Sequence, residues 1–393
     1  MRFFKPDNAR AAEGAGVAVI ACPHRPPCDG CARFGAPGIA ASAREMLDEL
    51  TRVHGLPVAP VISGPSSAFR HRARLAIRGR LASPKIGLFE ADSHNVVHIP
   101  NCRVHHPLIN AVASIVRAAL VDAKVSCYSD RANMGLARYL QVVVERSSGT
   151  AQVVLVANAA SAEPLMPCLE LIRMRLGARL HSLWLNFNRQ ANNVILGPDF
   201  QRICGPPSVV EQFGAAAVHY PPGAFGQSNL EVAQLMVEYI RERVAPGARI
   251  TEFYAGVGAI GLSLVDRISS LRLNEVSPQS LQGLERGVAQ LEPQVRAKVD
   301  VVRGMAGASC HAGDGAQVII VDPPRKGLDP ELTQYLASHP PEMLIYISCA
   351  LPSFISDVAG LLGGGQLRLS ELTAFNLIPF THHVETVATL RRV

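Results

Sequence analysis

The sequence predicts an α/β chain in three parts: a cysteine-rich N-terminal segment, a β-rich central domain, and a C-terminal Rossmann-like, doubly wound sheet. Three observations carry this. After Gly214, strand and helix patterns alternate to the end of the chain. Between Phe69 and Cys204, short runs rich in Val and Leu dominate. Cys22, Cys28 and Cys31 crowd a loop rich in Pro and Gly. The expected boundaries are 1–66, 67–214 and 215–393.

In the first part, one helix is expected at Ile39–Val53. In the second, Ala73–Ile77, Gln141–Glu145, Ala151–Ala157 and Leu183–Phe187 read as strands, with helices at Pro107–Asp122 and Glu163–Leu176. In the third, a helix at Asn229–Val244 precedes strands at Arg249–Tyr254, Ser270–Glu275, Val299–Arg303, Gln317–Asp322, Met343–Ser348 and Gln366–Leu372. Val384–Leu390 would complete a seven-stranded sheet. Helices fit between most of these strands, and alternation of this kind implies parallel pairing.

The chain has 393 residues, 48% hydrophobic and 18% charged, a globular balance rather than a disordered one. No apolar run reaches the roughly 18 residues of a membrane span. Met1–Arg10 is charged and lacks the apolar core of a signal peptide. A cytoplasmic monomer that does not engage membranes is expected. Nine cysteines in that compartment argue against a disulfide framework. Cys127, Cys168, Cys204 and Cys310 stand apart and read as small buried hydrophobes. The net charge of +6 thickens around Arg70, Arg72, Arg74, Arg78 and Arg80, which reads either as a solvated strand edge or as phosphate contacts.

The chemistry gathers at the carboxyl ends of the C-terminal strands, where open α/β sheets bind ligands. The first strand runs into Ala255-Gly256-Val257-Gly258-Ala259-Ile260-Gly261, a turn whose backbone can approach a ligand closely and whose following helix would present N–H groups. The next strand ends at Glu275, placed to accept from two ribose hydroxyls. That pair suits an adenosine-containing cofactor, a nicotinamide one included. The fourth strand delivers Asp322-Pro323-Pro324, whose prolines stiffen the exit loop. The fifth delivers Cys349, a soft nucleophile if the site activates its thiol. Glu385, at the start of the last strand, is a general-base candidate, and His383 competes with it.

These residues carry a family resemblance. Phe225-Gly226-Gln227-Ser228-Asn229, the glycine turn, Asp322 to Gly327, Tyr346-Ile347-Ser348-Cys349 and Thr381-x-His383-Val384-Glu385 occur in the order found in RNA uracil-C5 methyltransferases. The chain resembles that family from about Cys22 to its end. The resemblance implies a class I methyltransferase domain in which Gln227, Tyr254, Glu275 and Asp322 contact S-adenosylmethionine. It makes Cys349 the nucleophile that adds to uracil C6 and Glu385 the base that removes the C5 proton.

Cys22-x5-Cys28-x2-Cys31 with Cys102 resembles the iron–sulfur segment of members that modify 23S rRNA. Spacing alone suits zinc or a cluster; the family points to 4Fe–4S. RNA is the implied partner, with rRNA ahead of tRNA, and the N-terminal barrel of some members is not expected. The chain departs from the family at Ala350-Leu351, where Asn-Pro is usual, and at Ala259, where an amide is frequent; no acidic contact follows the third strand. Three other readings compete: a tRNA-modifying enzyme, a non-catalytic RNA-binding protein of the same fold, and a small-molecule methyltransferase.

Overall fold

A computed structural model describes residues 21–393. Met1–Arg10, and the rest of the cysteine-rich part before residue 21, lie outside the described residues. Helix α1 (Ala41–Val53) buries Ala43, Leu47 and Leu50 along one stripe. It packs on the C-terminal sheet rather than on the cysteine loop, sharing a core cluster with Phe354 and Val358. The short β1 (Val61–Ser63) adds itself parallel to a C-terminal strand. Among the described residues the C-terminal sheet therefore has eight strands, one more than the sequence predicts, because an edge strand is contributed from far upstream.

The central sheet comprises β2 (Arg72–Arg80), β3 (Ser83–Phe89), β4 (Val96–His98), β5 (Ala137–Glu145), β6 (Thr150–Ala157), β7 (Leu180–Phe187) and β8 (Asp199–Cys204). Their order is β4-β3-β2-β5-β6-β7-β8. Helix α2 (Pro107–Asp122) lies between β4 and β5 in the chain, and α3 (Met166–Leu176) lies between β6 and β7. All pairs are antiparallel except β6 with β7, where the α3 crossover permits parallel pairing. Every residue of β5 is buried, which explains why its sequence does not alternate. One face meets α2 and α3. The other meets the hairpin of β9 (Val209–Phe213) and β10 (Ala216–Tyr220), with Gln152 donating to the Tyr220 carbonyl.

The basic stretch on β2 is largely spent on this domain. Arg78 is buried, pairs with Asp130 at 2.6 Å and donates to the Ile77 and Arg138 carbonyls. It lies among the rings of Phe89, Tyr128 and Tyr139. With its guanidinium held by a carboxylate, two carbonyls and three rings, Arg78 is an internal strut and not a phosphate contact. Arg72 is half-buried, donates to the Ala224 carbonyl at 2.7 Å and lies over Tyr220. Arg70 is half-buried against the cysteines, whereas Arg74 and Arg80 are exposed. Of the lone cysteines only Cys168 is fully buried; Cys127, Cys204 and Cys310 are half-buried.

The C-terminal part follows α4 (Leu230–Arg243), whose first turn is capped by the Asn229 side chain. Strands β11 (Arg249–Phe253) and β12 (Ser270–Glu275) lead to helices α5 (Pro278–Ala289) and α6 (Pro293–Arg296). Then come β13 (Val299–Arg303), β14 (Val318–Val321), α7 (Pro330–Ser338), β15 (Met343–Ser348), α8 (Leu351–Leu362), β16 (Leu367–Asn376) and β17 (Glu385–Arg392). The sheet order is β1-β16-β17-β15-β14-β11-β12-β13. Only β17 runs antiparallel to its neighbours, a departure from the all-parallel expectation.

The helix expected after the glycine turn is absent: Gly261–Leu264 forms a single 3-10 turn. Gly256 and Gly258 take positive φ, 58° and 83°, which keeps the chain in a loop up to that turn.

Candidate active site

A cavity of about 710 Å³ opens at the carboxyl ends of β11, β12, β14 and β15. Gln227, Tyr254, Glu275, Asp322, Cys349 and Glu385 all line it. Parallel neighbours end at one edge of the sheet, so residues far apart in sequence meet there.

Glu275 is buried at the end of β12. One carboxylate oxygen accepts the Val276 and Ser277 N–H groups at 2.7 and 2.6 Å. The other accepts the Gly256 N–H at 2.7 Å, which ties the glycine loop to β12. Gly256 has φ +58°, a conformation that favours glycine. Tyr254 also adopts a positive φ, of 60°. Its hydroxyl accepts the Asp329 N–H at 3.0 Å and donates to the Asp329 carboxylate at 3.2 Å. Lys326 and Asp329 pair at 2.8 Å. Gly327 has φ +89°, a conformation that favours glycine, and a Cβ there would crowd the Asp357 carboxylate. That carboxylate in turn accepts from Tyr346 and from the Leu328 N–H. The loop after β14 is thus anchored to α8 and to β15.

The reactive end of the cavity sets two carboxyl groups, Asp322 and Glu385, against Arg325. Burial and the neighbouring Glu385 and Asp322 push the Cys349 thiol upward, with Arg325 opposing them. Glu385 is buried rather than a surface acid. Burial first, and Asp322 second, hold its carboxyl well above the usual range, with Arg325 opposing them. Burial pushes Asp322 up to about 7. Two carboxyl groups so placed resist double ionisation. His383 is exposed, lies 3.3 Å from Arg325, and lines a smaller recess with Cys349 and Glu385 rather than the main cavity.

Three residues of the site were missed in sequence. Glu252, inside β11, accepts the Gly261 N–H at 2.8 Å, and burial pushes it up to about 8. An acid inside a strand of the C-terminal sheet was the available signal. Asp329 bonds Tyr254, and Met305 lines the cavity after β13, where no acidic contact is present in the sequence.

Cys22, Cys28, Cys31 and Cys102 line one separate cavity of about 70 Å³, together with Arg70, His24 and His105. Burial, reinforced by Cys102 and then by Cys28 and Cys22, pushes Cys31 up to about 11. Four cysteines from two distant segments therefore line one recess. Among the described residues, no three His, Cys, Asp or Glu side chains converge tightly enough to hold a single metal ion.

Residues 313–393 match the family model described as tRNA (Uracil-5-)-methyltransferase. The chain is 33% identical over 383 residues to an uncharacterized RNA methyltransferase of Protochlamydia amoebophila, covering 95% of this chain and 98% of that protein. It is 27% identical to one from Geobacter sulfurreducens, covering 96% and 78% respectively. In structure it is similar to the tRNA (uracil-54, C5)-methyltransferase of Pyrococcus abyssi solved with S-adenosyl-L-homocysteine. The TM-score is 0.75 at 23% identity, over 92% of this chain and 85% of that one. That likeness bears on the fold. No described helix is long and apolar enough to cross a membrane.

Proposed function

This chain belongs to the S-adenosylmethionine-dependent RNA uracil-C5 methyltransferases, and on that premise we propose that it methylates a uridine of 23S rRNA through a covalent Cys349–C6 adduct. The observation that carries the mechanism is the convergence of Cys349, Glu385, Asp322, Glu275, Tyr254 and Gln227 on one cavity. The cofactor supplies an electrophilic methyl group. Glu275 holds its ribose hydroxyls; Gln227, Tyr254 and Asp322 line the rest of its path. Cys349 adds as thiolate to C6, placing the electron pair on C5, which takes the methyl group. Glu385 then accepts the C5 proton, the C5–C6 double bond re-forms, and the thiolate leaves.

We propose that Cys22, Cys28, Cys31 and Cys102 hold a 4Fe–4S cluster, as the family resemblance of their segment implies. All four line one recess, and four thiolates at this spacing can take either a cluster or zinc. Bound there, the cluster would supply a rigid cross-link. The cysteine segment supports rRNA as the substrate; the description of the matching family model supports a tRNA uridine as the second reading.

Mass spectrometry of 5-methyluridine in rRNA and tRNA, with and without this protein, decides the substrate. RNA carrying 5-fluorouracil should trap the native protein on a denaturing gel, and Glu385→Gln should stall on ordinary RNA. Cys349→Ala should form neither adduct nor product; methylation by that variant refutes the covalent step.

A further inference from the structure

The cysteine segment touches the catalytic loop directly. The Arg33 N–H donates to the Phe380 carbonyl at 2.8 Å, and the Arg33 guanidinium reaches the Thr381 carbonyl at 3.4 Å. The rings of Phe34 and Phe380 pack with centroids 5.0 Å apart. Phe380 has φ +67°, an unfavourable conformation for a bulky residue that its surroundings must maintain. The turn it shapes is closed by the Thr381 hydroxyl, which donates to the Ile378 carbonyl at 2.8 Å and accepts the His383 N–H at 3.2 Å. Glu385 follows two residues later, and Ile378 and Glu385 both line the main cavity. At its other end the same segment is fixed by Cys31, whose carbonyl accepts the Phe34 N–H at 3.0 Å and which lines the cysteine cavity.

We propose that Arg33 and Phe34 are positioning residues: they brace Phe380 in its left-handed conformation and so set Glu385 against the C5 proton. Loops do not hold a strained aromatic residue unaided, and this loop carries the base into β17. The brace explains why a segment distant in sequence, with its own cysteine anchor, lies beside the reaction. It rests on the reading of Glu385 as the base. Misplacing that carboxylate by an ångström slows proton removal while leaving addition and methyl transfer intact, so the methylated adduct should persist.

The test compares native protein, Phe34→Ala, Phe34→Tyr and Arg33→Ala, purified anaerobically as full chains. Turnover on RNA, adduct on denaturing gels and affinity for S-adenosylhomocysteine are all measured. Phe34→Ala should lose on the order of tenfold to a hundredfold in turnover and accumulate adduct on ordinary RNA. Its cofactor affinity should stay unchanged, and Phe34→Tyr should recover turnover. Arg33→Ala should move the same way by less, and it stands as the test if Phe34→Ala does not fold. Native turnover in both alanine variants, or turnover lost without adduct, overturns the brace while leaving the covalent reading intact. Loss of cofactor binding in both assigns the segment to the fold alone and also overturns it. A native protein that forms no adduct with 5-fluorouracil RNA removes the covalent reading, and the brace with it.

Discussion

Replacing Glu275 with glutamine keeps the side chain's size and removes its charge. In the native site three backbone N–H groups converge on the carboxylate, two on one oxygen and the Gly256 N–H on the other. Glutamine can set its carbonyl against Val276 and Ser277, but its NH2 then faces the Gly256 N–H, donor against donor. One charge-assisted hydrogen bond is lost, worth about 1.5–3 kcal/mol. The same charge is assigned to the ribose hydroxyls, so binding weakens by a similar amount. At about 1.4 kcal/mol per tenfold, the dissociation constant for S-adenosylhomocysteine should rise roughly 10- to 100-fold. Calorimetric titration measures it directly, and the melting temperature of the free variant reports the loosened glycine loop. Binding within about twofold of native would falsify the assignment of Glu275 to the ribose.

The pH dependence has a definite sign. Addition needs the Cys349 thiolate and proton removal needs the Glu385 carboxylate, and both groups are held above their ordinary values by burial and by negative neighbours. The single-turnover rate should therefore keep climbing with pH beyond the ordinary thiol value of about 8.5 instead of levelling near neutrality. Asp322→Asn removes one of those negative neighbours and should move the profile toward lower pH; a flat native profile contradicts this picture. Anaerobically purified protein should be brown with about four irons per chain, and stoichiometric zinc without iron would refute the cluster.

Much of this protein is legible in one dimension. The strand–turn segments that carry Glu275, Asp322 and Cys349 announce themselves because ligands bind where parallel strands end, and strand ends are visible as apolar runs meeting Gly, Pro or a charged residue. The spacing of Cys22, Cys28 and Cys31 is a local pattern and is read in the same way. What the sequence could not decide were relations across distance. The burial of Arg78 depends on Asp130 and three aromatic rings from other segments, so the same row of arginines reads equally as a surface stripe. The eighth strand comes from residues 61–63, whose pairing with β16 has no local signature. Cys349 lies beside two carboxyl groups because Asp322 and Glu385, distant in the chain, are brought to one edge of the sheet. The contact of Phe34 with Phe380 spans nearly the whole chain. Periodicity and turn chemistry report each residue's immediate neighbours, whereas electrostatics and packing are set by groups that only folding brings together.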